Sequence, residues 1–168
     1  MSADEQEPSA DGELVAERPG TPSAPRPAHL SAPAILLVGA GGAVGTALRF
    51  GITVIMPSVH GFPVPTLTVN VVGALILGLL LESLAELGPD HGLSRRLRLG
   101  LGTGLLGGFT TYSTLAIDSV TLSLTSPVAA LAYGLGTVTL GAVASITGIA
   151  LAGRLLRPAL RKRLVPPC

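Results

Sequence analysis

Four long apolar runs alternate with short polar or proline-bearing connections along this chain, at about 34–56, 66–84, 99–121 and 127–152. Each is near twenty residues or longer and carries few charges. Helices of that length cross the ~30 Å hydrocarbon core of a bilayer. The pattern therefore predicts an all-α membrane protein of four transmembrane helices. The third run departs from the others at Gly107-Gly108-Phe109-Thr110-Thr111-Tyr112-Ser113-Thr114-Leu115. Paired glycines and clustered hydroxyls are poor helix material, because glycine is conformationally free and hydroxyls compete for backbone bonds. A broken third helix is expected there. Carbonyls freed at membrane depth are tolerated when they are buried in protein or face water or an ion.

Residues 1–33, rich in Pro, Ala, Ser and Glu, read as a disordered acidic tail that cannot bury enough apolar surface to fold. The membrane domain then spans 34–153, and 154–168 is a basic tail. Acid rather than base leads the chain and no apolar stretch follows promptly, which is unlike a signal peptide. In the first run, Gly41 and Gly45 have the spacing that lets another helix approach closely. Arg49 interrupts that run, roughly seven residues or about 10 Å from its end. Its side chain either snorkels to the interface or forms a vestibule that attracts anions. Asn70 lies one turn into the second run. A lone amide in lipid needs a partner, so it serves either as glue between helices or as a pore lining. Tyr133 and Thr137, four residues apart, share one face of the fourth run.

Charge adds orientation. With four crossings, the two tails and the connection near Arg95, Arg96 and Arg98 share one side, which holds every Arg and Lys except Arg49. The positive-inside rule places that side, and both termini, in the cytoplasm of a cell-membrane protein.

The chemistry within the runs is neutral. Asn70, Thr110, Thr111, Ser113, Thr114, Tyr133 and Thr137 offer donors, while no Glu or Asp sits in the middle of a run. Asp118 is the one carboxylate near the membrane interior, towards the far interface. Donors without fixed charge suit a small, strongly hydrated anion. No nucleophile–base pair or metal cluster suggests catalysis. The basic residues lack an aromatic platform for nucleic acid. The single cysteine, Cys168, excludes an internal disulfide framework.

Taken in order, Gly41-Gly42-Ala43-Val44-Gly45-Thr46-Ala47-Leu48-Arg49-Phe50, Pro65-Thr66-Leu67-Thr68-Val69-Asn70-Val71-Val72-Gly73, the segment from Gly107 to Thr114, and Tyr133-x-x-x-Thr137-x-x-x-Gly141 form a recognisable set. The chain resembles the small fluoride channels of the CrcB/Fluc family over about residues 35–154. The resemblance implies an antiparallel dimer with two pores that let fluoride leave the cytoplasm passively. It further implies a structural Na+ at the dimer axis, held by Gly107 and Thr110 with Gly108 beside them. It places the fluoride pathway on Asn70, Tyr112, Ser113, Thr114, Tyr133 and Thr137, and Arg49 and Asp118 at a vestibule or interface. Tyr112 and Leu115 stand where the family carries two phenylalanines, and Asp118 where it carries Glu. The strong charge bias favours one orientation of insertion. A heterodimer with an oppositely oriented related subunit is therefore expected as an alternative, this chain being a partner with a degraded pore. A small four-helix drug or cation exporter is the remaining alternative, and the missing mid-membrane carboxylate argues against it.

Overall fold

The computed structural model describes residues 31–164 except His60 and Pro89, and side chains as far as Leu156. Helix α1, Ala32–Ile55, begins with Pro33 in its first turn, where a missing N–H costs nothing. It stops because Met56 precedes Pro57 and takes an extended conformation, φ −105° and ψ 103°. A tight turn follows, in which Val59 and Phe62 exchange two backbone hydrogen bonds of 3.1 and 2.9 Å. Helix α2, Val64–Glu86, ends before Gly88, whose φ of +116° suits glycine.

The third segment is assembled from pieces. Helix α3, Gly92–Leu97, continues as a wide π-helical stretch, Arg98–Leu106, and then as the single turn α4, Gly107–Phe109. At Thr110 (ψ 156°) and Thr111 (φ −148°, ψ 121°) the chain is extended. Helix resumes as α5, Tyr112–Ser123. The interruption is thus two residues long, shorter than the nine-residue motif in which a break is expected. Gly107 and Gly108 are helical despite their poor propensity, and Gly108 is packed against α1. A Cβ on Gly108 would stand 2.9 Å from the Gly42 Cα, so glycine is required for the contact with α1 rather than for a break.

Helix α6, Pro127–Leu164, is 38 residues long, or about 57 Å at 1.5 Å per residue. It outruns the bilayer core, so the basic stretch beginning at Arg154 continues the helix as far as Leu164. Among the described residues, three helices are long and apolar enough to cross a membrane: α1, α2 and the Pro127–Leu156 part of α6.

Packing follows small residues. The π-helical stretch and α4 lie against α1, where a Cβ on Gly45 would press into the Leu105 carbonyl and one on Gly104 would come 2.7 Å from the Val38 oxygen. Helices α2 and α6 meet in the same way, with Gly78 against the Ser145 carbonyl and Gly148 against that of Leu75. Such interfaces suit a bilayer, where apolar area gives no drive and close approach gives dispersion. The third segment changes neighbours at its break: the part before it packs on α1, and α5 after it packs on α6. Large apolar side chains such as Leu36, Phe50, Ile55, Val128 and Leu131 cover the outside.

Candidate functional site

The two extended residues leave their backbone groups to be satisfied by side chains. Once ψ of Thr110 swings the chain off the helical path, the carbonyls of Gly107 to Thr110 lose their partners four residues on. Asn70 of α2 answers the other half of that problem. Its Nδ2 donates to the Thr111 carbonyl at 3.0 Å, and its Oδ1 accepts from the Thr111 N–H at 2.7 Å. A flipped amide would set donor against donor and acceptor against acceptor, so the orientation is fixed. Thr111, only 7% exposed, then caps α5: its Oγ1 accepts the Thr114 N–H at 3.1 Å and lies 3.0 and 3.2 Å from the hydroxyls of Thr114 and Ser113.

A cleft of about 310 Å³ opens at this point, bringing Asn70, Thr110, Tyr112 and Thr137 together with Thr111. Ala74, Leu77, Leu115, Val138 and Gly141 form its apolar walls. Gly73 lets Phe109 and Thr110 pack against α2, since a Cβ there would come 3.2 Å from the Phe109 ring and collide with the Thr110 methyl. The first N–H groups of α5 lack intrahelical partners, and the dipole of that helix is positive at the same end. Donors therefore converge where no carboxylate lines the wall.

Several hydroxyls are already committed. Thr110 Oγ1 donates to the Leu106 carbonyl at 2.9 Å, and Thr137 Oγ1 to that of Tyr133 at 2.7 Å. Such a hydroxyl reaches an anion only by giving up its present bond. Tyr133 and Thr137 share a face and are 2% and 3% exposed. Tyr133 lies outside the 310 Å³ cleft, with its OH 3.4 Å from the Pro63 carbonyl and 3.3 Å from Asp118 Oδ2. Asp118, midway along α5, is thereby tied to α6. The Phe62 ring meets Tyr133 edge-on, centroids 5.2 Å apart at 87°.

The other candidates lie apart. Arg49 is half-buried on α1, with no hydrogen-bond or ion-pair partner among the described residues. Gly107 is exposed, and a Cβ there would meet nothing within 4 Å. Gly108 faces α1, and its carbonyl accepts from Thr46 Oγ1 at 3.4 Å. Ser113 is exposed and Thr114 half-buried. Tyr112 is 81% exposed and borders a second, largely apolar cleft of about 470 Å³ between α5 and α6. Leu115 is buried between the two clefts.

Thr111 is the residue that sequence reasoning undervalued. Its signal is a threonine directly before a helical run, the usual N-cap preference. Phe62 carried no signal at all, since its role depends on the turn that folds it back onto α6.

A family model described as CrcB-like protein, Camphor Resistance (CrcB), matches residues 36–149. The fluoride-specific ion channel FluC 2 of Leifsonia xyli subsp. xyli (strain CTCB07) is 48% identical over 126 residues, 74% of this chain and 87% of that protein. The fluoride-specific ion channel FluC of Paracoccus denitrificans (strain Pd 1222) is 44% identical, covering 68% of this chain and 90% of its own length. That of Rhizobium meliloti (strain 1021) is 39% identical over 70% and 94%.

Proposed function

The chain belongs to the CrcB-like family, and on that premise we propose that it is a fluoride-specific channel through which the anion leaves the cytoplasm down its electrochemical gradient. The observation that carries this reading is the cleft at the break, where donors converge without a carboxylate. A small anion holds its water tightly and enters only where fixed donors replace part of that shell. The second N–H of the Asn70 amide and the uncapped N–H groups in the first turn of α5 are such donors, with the hydroxyls of Ser113 and Thr114 on that same turn. Tyr112 adds an aromatic edge at the rim, and Tyr133 with Thr137 extends the polar track along α6 towards Asp118. Arg49 supplies positive charge from α1. No step consumes a substrate, in keeping with a family of channels rather than enzymes.

In this reading the third segment also crosses, making four crossings in all, which puts both termini in the cytoplasm, and the subunit works as an antiparallel dimer in the cell membrane. The exposed Gly107, with open space beside it at mid-segment, suits close approach by a second subunit. A hard cation takes oxygen ligands, and unwound carbonyls commonly serve Na+ in membrane proteins. The carbonyls of Gly107 and Thr110, without helical partners, fit that requirement. When bound, Na+ would offset their negative ends and hold the two breaks together.

A second reading concerns the partner. The one-sided distribution of Arg and Lys favours a single insertion orientation, so the second subunit would be a related chain inserted the other way. That partner would restore an aromatic pair where this chain has Leu115.

The test is fluoride efflux from proteoliposomes containing this chain alone, followed with a fluoride electrode. Fast efflux that chloride does not reproduce is the expected result for a self-sufficient channel, and it would exclude the obligate partner. Efflux that appears only with an oppositely biased relative supports the heterodimer. Silence in both arrangements would overturn the fluoride reading.

A further inference from the structure

The pair of hydrogen bonds between Asn70 and Thr111 bears on what keeps the third segment broken. Thr110 and Thr111 are not glycine or proline, and both tolerate helical backbone at modest cost. Nothing in their own chemistry forbids a continuous helix, in which the carbonyls of Gly107 to Thr110 would each recover an N–H partner. The extended state needs an external group that pairs with Thr111 at both its N–H and its C=O. Asn70 is placed to do so, at 2.7 and 3.0 Å, from a residue 41 positions away on α2. The Thr111 hydroxyl, capping Thr114 N–H at 3.1 Å, then starts α5 in its new direction.

We propose that Asn70 is a positioning residue that holds the break open: its amide clamps the Thr111 backbone, and it shapes the cleft through Thr111 rather than chiefly by touching the ion. Its effect on conduction rests on the channel reading above; the clamp itself does not. Only Asn among residues of this size supplies an acceptor and a donor on one planar edge. Aspartate keeps the acceptor for the Thr111 N–H and loses the donor for its carbonyl. Valine, of similar size, loses both.

The experiment uses the full chain in liposomes, labelled with 13C and 15N at threonine, and reads the Thr110 and Thr111 backbone shifts by solid-state NMR beside fluoride efflux. Wild type is expected to give extended-backbone shifts at both residues. Asn70→Val should move both towards helical values and lower efflux at least about tenfold, the effect of losing a buried pair of hydrogen bonds. Asn70→Asp should leave the Thr111 15N shift near wild type while its carbonyl shift changes. The idea is overturned if Asn70→Val keeps the extended shifts, whatever happens to efflux; a fall in efflux alone would assign Asn70 to the ion directly. Should Asn70→Val not fold, Asn70→Asp decides, since wild-type shifts at both Thr111 groups would equally exclude the clamp. A wild type that fails to conduct both alone and with an oppositely biased relative would refute the channel and leave the shift comparison intact.

Discussion

Consider Gly45→Ala on α1, with Gly39→Ala on the same helix as its control. A Cβ at Gly39 meets nothing within 4 Å, whereas one at Gly45 would press into the Leu105 carbonyl oxygen and stand 2.8 Å from Phe109 N. Those neighbours are backbone atoms of the π-helical stretch and α4, so no side chain can swing aside. Restoring ordinary contact requires the two backbones to part by on the order of 1 Å, a gap that forfeits a quarter to a half of each dispersion well along the seam. Overpacking of this kind costs at the upper end of about 1–3 kcal/mol, while alanine returns roughly 1 kcal/mol of helix propensity at either position. Gly39→Ala is therefore expected to gain about 1 kcal/mol and Gly45→Ala to lose about 2. The difference corresponds to a ratio of folded to unfolded populations on the order of a hundredfold. Reversible unfolding in mixed detergent micelles, followed by circular dichroism, measures both. Equal midpoints for the two variants would refute the argument that α1 and the third segment are held by backbone contact.

Other outcomes follow from the same geometry. Thr111→Val removes the cap of α5 and should cost about 1 kcal/mol, while Thr111→Ser should restore it; unchanged unfolding of Thr111→Val would show that the cap contributes nothing. Cys168 is the only cysteine in the chain, so an impermeant maleimide should label intact cells only after permeabilisation if the carboxyl terminus is cytoplasmic; labelling of intact cells would reverse the orientation. Replacing Na+ by N-methylglucamine during purification should lower the dimeric fraction in light scattering, and an undiminished dimer would remove the cation from the interface.

Much of the helical layout was legible because proline and glycine mark the ends. The first run, expected at 34–56, is Ala32–Ile55, and the second, expected at 66–84, is Val64–Glu86. The common face of Tyr133 and Thr137 was also legible, since helical period alone places them, and both are buried. What the one-dimensional pattern concealed is long-range. Propensity pointed to Gly107 and Gly108 as part of the break, yet both are helical, Gly108 packed against α1, and only Thr110 and Thr111 are extended. The amide at Asn70 announced a need for a partner without indicating which backbone, because the partner is 41 residues away. Free hydroxyls counted from the sequence include those of Thr110 and Thr137, whose protons are held by carbonyls one turn back. The π-helical stretch has no simple compositional mark beyond its alternating glycines.

The piecewise third segment has a consequence for how the chain enters a bilayer. Its second piece, α5, is 12 residues, or about 18 Å, well short of the ~30 Å hydrocarbon thickness. A translocation machine that selects segments by length and hydropathy would find α1, α2 and α6 readily, but this one only as two fragments joined by exposed peptide groups. Its residence in the membrane must then follow, not precede, the arrival of α1 and of the Asn70 amide that satisfies those groups. Biogenesis becomes ordered: the first two helices form the mould, and the third is cast into it. Truncated chains released after residue 126 should integrate the third segment only when α2 carries Asn70, which glycosylation mapping of nascent chains can read directly.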